Sequence, residues 1–511
     1  MIESDMKTPA SQRLFGKIAN TVSKGSLSYL IFVCTVAALG GVLFGFDTAV
    51  ISGTLTELKK QFTLGSAMEG WLVSSALTGC ALGAIVAGSL ADRLGRRLVL
   101  ISSGSLFIVC SVGCALALNL NVLIWSRFVG GLGVGLASMV SPLYIAEISP
   151  KHLRGRMVTL FQFAITIGIC LALFSNAGLQ HLASVAAAGH GSRFYQWIVV
   201  NQTWRGMFGM ELIPSVLFTG LCLVVPEAPR WLIKANRRDE AKIVLARIGG
   251  AASAEQELDE IERTITSTSS SLASLLQPGL RKALFVALFL AVTSELSGIT
   301  VVFYYGPDIL ARSGLSLGQA LGGFTSIGFV NVTFTLIAIW LMDIAGRRPL
   351  LFFGTVGAIC SLTGVGLLFR SGLTGGLMVV TLLCLFVACF AFSMGPIKWV
   401  VMSEIFPTKI RGRAMAIATL AVWTTDIVYN QLFPILRNRL GVSGIFFLFA
   451  LLLLPQLLFI WKVMPETKGR TLEEIERSWR SSTTVRNTLM DPSKCEAEAQ
   501  CEINGEVAVR E

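Results

Sequence analysis

The chain has 511 residues, 53% hydrophobic and 14% charged, with a mean hydropathy of +0.69. Soluble domains carry about 25% charged residues, so the composition excludes a water-soluble globular protein. The formal net charge of +11 would suit a nucleic-acid binder, but its placement excludes that reading: Lys and Arg gather in alternate loops between long apolar runs, as in a membrane protein.

A spanning helix needs about 20 mostly apolar residues. Twelve runs qualify, near 28–53, 70–91, 98–118, 121–144, 157–179, 206–225, 283–305, 320–343, 350–369, 376–403, 413–434 and 443–463. They predict an all-α membrane protein of two six-helix bundles, residues 28–226 and 282–464. A cytoplasmic segment 1–27 precedes them, linker helices 227–281 join them, and a cytoplasmic tail 465–511 follows.

The basic loops hold Arg93, Arg96 and Arg97; Lys151, Arg154 and Arg156; Arg230, Lys234, Arg237 and Arg238; Arg347 and Arg348; and Lys409, Arg411 and Arg413. The positive-inside rule places these loops and both termini in the cytoplasm, at a plasma or inner membrane. Lys59, Lys60, Arg437 and Arg439 fall in the opposite loops and dilute the contrast. The cysteines form no CxxC and no metal-ligand spacing, so neither cofactor nor metal is expected. No phosphate loop or nucleophile elbow suggests an enzyme.

The halves repeat. Asp92-Arg93-Leu94-Gly95-Arg96-Arg97 recurs as Asp343-Ile344-Ala345-Gly346-Arg347-Arg348. Glu147 with Arg154-Gly155-Arg156 recurs as Glu404 with Arg411-Gly412-Arg413 at the same internal spacing. Parallel repeats of six helices suit a transporter whose bundles rock about a midplane site. Asp92, Arg93, Arg97, Glu147 and Arg154, and their repeats Asp343, Arg347, Glu404 and Arg411, lie where helices meet the cytoplasm. Such charges can latch the bundles when the site faces outward, because exposed pairs worth about 0–1 kcal/mol each are easily switched. Glu227 and Arg230 join this expected gate from the linker.

The first run carries a carboxylate, Asp47. A charge at that depth costs about 2.5–3.5 kcal/mol on insertion scales, so it needs a partner, a proton or a task. Counting 1.5 Å per residue from the outer helix ends puts Asp47, Arg127 and Glu211 at one depth, about 9 Å below the outer surface. Arg127 favours ionised Asp47 and burial favours the neutral acid, which is the basis of a proton switch.

Polyhydroxylated solutes need several hydrogen-bonding groups and flat aromatic faces in a mostly apolar pocket. Topology offers Phe44, Gln162, Thr166, Tyr304, Asn331, Trp399 and Trp423. Gln162 and Thr166 share a helix face, and Gly395-Pro396 predicts a broken helix beside Trp399.

Five motifs give the chain a family resemblance: Gly88–Arg97, Arg127-Phe128-Val129-Gly130-Gly131, Pro142–Glu147, Pro226-Glu227-Ala228-Pro229-Arg230-Trp231-Leu232 and Pro465–Arg470. In this order it resembles a sugar porter of the major facilitator superfamily, most of all the bacterial pentose–proton symporters. The resemblance implies sugar contacts at Gln162, Trp399 and Trp423, proton coupling at Asp47, Arg127 and Glu211, and the cytoplasmic latch.

The chain departs from the family on its seventh run, where Gln-Gln-x-Ser-Gly-Ile-Asn is usual and Ser294-Glu295-Leu296-Ser297-Gly298-Ile299-Thr300 stands instead. Asp426 replaces the usual Asn three residues after Trp423. Glu295 and Asp426 fall near the midplane, where they can share a proton, pair with Lys398 or meet a cationic substrate group. Lys398, placed nearer the inner surface, could instead snorkel there. The expected function is proton-coupled symport of a sugar or polyol by a monomer in the bilayer. A uniporter, a carrier of an amino sugar or other cation, and a non-transporting sugar sensor stay open, although Asp47, Arg127 and Glu211 argue against uniport.

Overall fold

The computed structural model describes residues 25–150, 153–186, 192–266, 280–373, 375–406, 411–464 and 466. The expected terminal segments fall almost wholly outside this set, as do Lys151, Lys409 and the side chains of Asp343 and Arg411. Among the described residues the regular structure is helical throughout.

The amino-terminal half holds α1 (Leu27–Phe62), α2 (Ser66–Leu94), α3 (Arg96–Ala115), α4 (Leu120–Ile148) and α5 (Arg154–Ala186). Its sixth crossing is split into α6 (Thr203–Gly209) and α7 (Leu212–Cys222). The linker forms α8 (Pro229–Lys234), α9 (Arg238–Gly249) and α10 (Ala251–Thr266). The second half opens with another split crossing, α11 (Leu280–Glu295) and α12 (Ile299–Arg312), followed by α13 (Leu317–Ala345) and α14 (Arg347–Ser371). A third split crossing, α15 (Gly376–Phe392) and α16 (Met394–Glu404), precedes α17 (Arg411–Lys462).

Local chemistry sets these boundaries. The Ser26 hydroxyl accepts the Tyr29 N–H at 3.2 Å and starts α1. Asn119 does the same for α4 through the Val122 N–H at 3.0 Å, and Ser316 with Gln319 forms a reciprocal capping box on α13. Gly441 has φ 71° and ψ 171°, so α17 is two helices joined at that residue. Tyr429 and Phe449 on its two arms pack with ring centroids 5.3 Å apart and planes tilted by 51°, as antiparallel neighbours do. Ten helical stretches are long and apolar enough to cross a bilayer. Counting both arms of α17 and adding the α6–α7 pair gives twelve crossings among the described residues, in agreement with the twelve runs.

A hydrogen bond from the Ser26 N–H to the Arg247 carbonyl, 3.0 Å, ties the start of α1 to the linker. The start of α1, the α2–α3 turn and the end of α4 therefore share the linker end, and the α1–α2 turn lies at the far end.

Close helix crossings rest on glycine, as is usual where lipid removes the hydrophobic drive between helices. A Cβ on Gly45 would stand 2.0 Å from the Ile165 carbonyl oxygen of α5, and one on Gly131 2.0 Å from the Ala76 carbonyl oxygen of α2. Large apolar side chains such as Ile85, Ile213, Phe353 and Leu451 face outward. Exposed Trp71 and Trp125 lie toward the far end and Trp340 and Trp461 toward the linker end, the pattern of aromatic belts at two interfaces. The chain is a multi-pass integral membrane protein.

The linker helices are joined by exposed charges. Arg238 meets Asp259 at 3.3 Å and Lys242 meets Glu255 at 2.5 Å. The Lys242 hydrogen bond lowers the Glu255 carboxyl pKa, but pairs this exposed contribute little to stability.

Candidate functional site

At the linker end the sequence repeat becomes a structural one. Arg96 faces Glu147 with Nη2 at 3.0 Å and Nε at 2.9 Å from its two oxygens, and donates through Nη1 to the Ala91 carbonyl at 3.1 Å. Arg347 repeats this with Glu404 at 3.0 Å and the Met342 carbonyl at 3.1 Å. Glu227 accepts the backbone N–H groups of Arg96 at 2.9 Å and Arg97 at 3.2 Å. Glu466 accepts those of Arg347 and Arg348, both at 3.0 Å. Thus each half clamps its α2–α3 or α13–α14 turn with a carboxylate from the end of its sixth crossing.

Arg96, which sequence pattern alone left out of the gate, is the partner of Glu147, while Arg93 and Arg154 are exposed. Asp92 lies 3.1 Å from Arg96 and 3.6 Å from Lys234. Arg97 turns its guanidinium to the Cys222 carbonyl at 3.1 Å, and the Arg230 charge reaches Glu147. These partners lie in the same half or in the linker that follows it, so in this conformation the pairs named here brace each half internally and do not join the two. Arg96→Ala strands a carboxylate whose side chain is 7% exposed. The expected loss is about 3–5 kcal/mol, read as a fall in melting temperature in detergent, with Arg154→Ala near wild type. Equal effects from the two substitutions would refute the assignment.

Deeper in the amino-terminal half, Asp47 from α1, Arg127 from α4 and Glu211 from the α6–α7 break come together, all 3% exposed or less. Arg127 Nη1 is 3.7 Å from Asp47 Oδ1, an ion pair too long for a hydrogen bond. Neither Glu211 oxygen has a hydrogen-bond partner, nor has Asp47 Oδ1. Glu211 sits at the break itself, and Pro214 follows in the first turn of α7, where its missing N–H costs nothing. Carboxylate oxygens of Asp47 and Glu211 and the Cys110 sulfur lie within 4.8 Å of one another. That donor set has the spacing of a metal site, but the Arg127 guanidinium already supplies the cation there.

In the other half, two broken helices meet. Gly298, with φ 84°, separates α11 from α12. Ser393, with φ −129° and ψ −87°, separates α15 from α16, and Pro396 sits in the first turn of α16. Glu295 at the end of α11 pairs with Lys398 of α16. Lys398 is 6% exposed, so it does not snorkel in this conformation: its ammonium is buried against Glu295. Asp426 Oδ1 accepts the Thr300 hydroxyl at 3.1 Å, and Asn430 Nδ2 donates to the same hydroxyl at 3.1 Å.

Between the halves, the Phe44 and Trp423 rings pack with centroids 5.6 Å apart and planes tilted by 41°. Trp423 Nε1 and Ser294 Oγ are buried without partners. Tyr304 is buried within electrostatic range of both Asp426 and Asp47. Trp399 is half-buried, its ring 5.5 Å from Lys398 Nζ. Gln162 and Thr166 lie on α5 and Asn331 on α13, helices that pack on each other across the halves. The Thr166 hydroxyl is spent on its own helix, donating to the Phe163 carbonyl at 2.8 Å.

The far end holds what sequence pattern did not reveal. Arg437 of α17 donates to both Glu69 oxygens at 3.2 and 3.0 Å and to Asp308 at 2.8 Å. Lys59 of α1 meets Glu69 at 2.8 Å and Asp308 at 3.2 Å. The two cations alternate with two acids, joining α1 and α2 of one half to α12 and α17 of the other. Ser74 donates to Gln431 at 2.7 Å and Asn438 to Ser66 at 2.6 Å beside them. The signal in the sequence was the pair of exceptions to the charge asymmetry, Lys59 and Arg437.

Comparison with known proteins accords with this geometry. The sequence profile of the family described as "Sugar (and other) transporter" matches residues 33–479. An arabinose-proton symporter of Bacillus subtilis is 38% identical over 457 residues, 89% of this chain and 96% of the relative. The D-xylose-proton symporter of Escherichia coli is 36% identical over 488 residues, 89% of this chain and 97% of the relative. Among solved structures, the E. coli xylose transporter XylE in a partially occluded inward open conformation gives a TM-score of 0.76 at 34% identity, covering 87% of this chain and 100% of that one. XylE bound to 6-bromo-6-deoxy-D-glucose gives 0.71 at 34% identity, covering 88% and 99%. With twelve crossings, two repeated halves and these relatives along nearly its whole length, the chain belongs to the sugar transporter family, the sugar porters of the major facilitator superfamily.

Proposed function

We infer that the protein is a proton-coupled symporter of a sugar or related polyol, working by alternating access without covalent chemistry. The observation that carries the coupling is the buried set of Asp47, Arg127 and Glu211. Its single cation faces two carboxylates, so the set gains a proton whenever Arg127 is drawn from Asp47. The ion pair at 3.7 Å is loose enough to separate in small helix movements. Relatives named as arabinose-proton and D-xylose-proton symporters support the same reading.

The solute is expected between the halves, against Phe44, Trp399 and Trp423, with polar contacts from Gln162, Asn331, Ser294 and Thr300. The linker end and both termini are assigned to the cytoplasm of a plasma membrane, and the monomer is assigned as the working unit. In that orientation the far-end ion pairs hold the outer side closed. The Glu147 and Glu404 clusters, with Asp92, Arg97, Glu227 and Arg230, re-form a latch between the halves when the site turns outward.

The test is uptake of radiolabelled arabinose, D-xylose, glucose and myo-inositol by a transport-deficient bacterial host, with and without a protonophore. Accumulation of at least one solute against its gradient, lost with the protonophore, is expected. Accumulation that survives the protonophore would overturn symport, and equilibration without accumulation would make the protein a uniporter.

A further inference from the structure

The carboxyl-terminal half carries a second buried set of two carboxylates and one base. Glu295 is 3% exposed, Lys398 6% and Asp426 3%. Glu295 and Lys398 neutralise each other. Asp426 has no cation within ion-pair distance among the described residues; its Oδ1 accepts only the Thr300 hydroxyl, at 3.1 Å. The amino-terminal set has the same arithmetic, Asp47 paired with Arg127 and Glu211 left over. In both sets the ionised groups sum to one negative charge.

The groups that face Asp426 come from four other elements. Glu295 ends α11, Lys398 stands on α16, Tyr304 on α12 and Cys80 on α2. Only Lys398 is cationic, and Glu295 holds it. Two further side chains on α17 keep unused hydrogen-bonding capacity beside the acid: Trp423 Nε1 one turn before it and Asn430 Oδ1 one turn after it, both buried and without partners. A carboxylate at this depth with one hydroxyl donor is not compensated as an anion. A proton neutralises it without any further group, and Asn430 Oδ1, one turn on, remains an unused acceptor for the acid O–H, whereas the Trp423 N–H can only donate.

The surroundings also supply a way to switch that proton. The Thr300 hydroxyl bond, the contact that favours the anion, runs from α12 to α17. Thr300 lies in the first turn after the Gly298 break, and Glu295 and Lys398 tie this break to the one at Ser393. With the hydroxyl in place Asp426 holds its proton less firmly; movement of α12 against α17 removes the donor and tightens that hold, and the reverse movement restores the donor and loosens it. Only a proton is exchanged, and no bond between heavy atoms changes.

We propose that Asp426 is a second proton-binding site and that transport couples two protons to each solute, one at the Asp47 set and one at Asp426. This rests on the symport reading above, and two measurements separate their failures. The first needs no solute. Infrared titration of the purified full chain in lipid nanodiscs follows the protonated-carboxyl stretch. Asp426→Asn should remove one titrating buried carboxyl that Asp47→Asn leaves in place, and Thr300→Val should move its midpoint to higher pH without removing it. Wild-type and Asp426→Asn spectra that titrate identically would overturn the proposal. The second is the reversal condition of wild-type protein in proteoliposomes, with whichever of arabinose, D-xylose, glucose and myo-inositol it accumulates. The balancing solute ratio should rise as the square of the proton ratio and fall to its first power in Asp426→Asn. A first-power dependence in wild type would overturn the proposal while leaving symport intact. Absence of proton-driven accumulation of all four would reject symport instead, with the infrared result still deciding Asp426. If Asp426 serves a cationic solute group, Asp426→Asn will abolish solute binding without removing a titrating carboxyl, which also overturns the second proton.

Discussion

Asp47→Asn is expected to reduce uphill accumulation of solute to simple equilibration, while exchange of labelled for unlabelled solute across the membrane persists. Each elementary charge moved through 100 mV contributes about 2.3 kcal/mol, which sustains a concentration ratio of about 50-fold per coupled proton. Asn keeps the size of Asp and loses the titrating oxygen. Arg127, 1% exposed, keeps Glu211 as a neighbouring acid in the variant, so the fold retains a counter-charge. Exchange needs the bundles to rock with solute bound and does not need net proton flux. Accumulation and exchange measured in the same vesicles therefore separate coupling from binding. Accumulation at the wild-type level in Asp47→Asn would remove Asp47 from the coupling step, and loss of both activities would mean that the pair is needed to hold the structure.

The crossings were legible because hydrophobic length is a one-dimensional property. The run near 28–53 became α1 with Ser26 as its cap, and the run near 413–434 became the first arm of α17. The clustering of Asp47, Arg127 and Glu211 was legible too, since the helical rise converts residue count into depth. What could not be read was where helices break. The split at Met210–Glu211 and the positive φ at Gly298 depend on tertiary packing that no local pattern announces. The split at Ser393 was half visible through Gly395-Pro396, while the burial of Lys398 against Glu295 was not. A residue counted along an unbroken helix sits at one depth, and the same residue after a break sits at another. Ion-pair partners were the second blind spot. Sequence repetition marked Glu147 and Glu404 but not which arginine each would take. Arg96 and Arg347 sit at the first helical position after a glycine turn, and their backbone N–H groups bind Glu227 and Glu466 while their side chains reach the other acid.

The far-end ion pairs illustrate how a charge that looks like noise in a topology rule can join two halves. Arg437 and Glu69 have side chains 4% exposed, and Asp308 14%. Such a network is held by mutual pairing, so removing its central cation leaves two acids served by Lys59 and Arg312 alone. Arg437→Met, which keeps the stem volume, is expected to weaken the closed far end by about 3–5 kcal/mol. That shifts the equilibrium toward far-end opening by about two to four powers of ten. Lys59→Met should shift it less, because the Lys59 side chain is 19% exposed and water already competes for it. Ser74 offers the readout: it is fully buried, 0% exposed, and bonded to Gln431 at the same interface. In a Ser74→Cys background, a membrane-impermeant maleimide added on the far side should label the thiol much faster once Arg437 is Met. Solute turnover should fall in parallel, since each cycle must pass through the closed far end. Should labelling stay at the parent rate, closure rests on the helix packing around Gly70 and Gln431, where a glycine Cβ would stand 2.5 Å from a backbone oxygen, and the four charges would serve only to seat Lys59 and Arg437 at the membrane boundary.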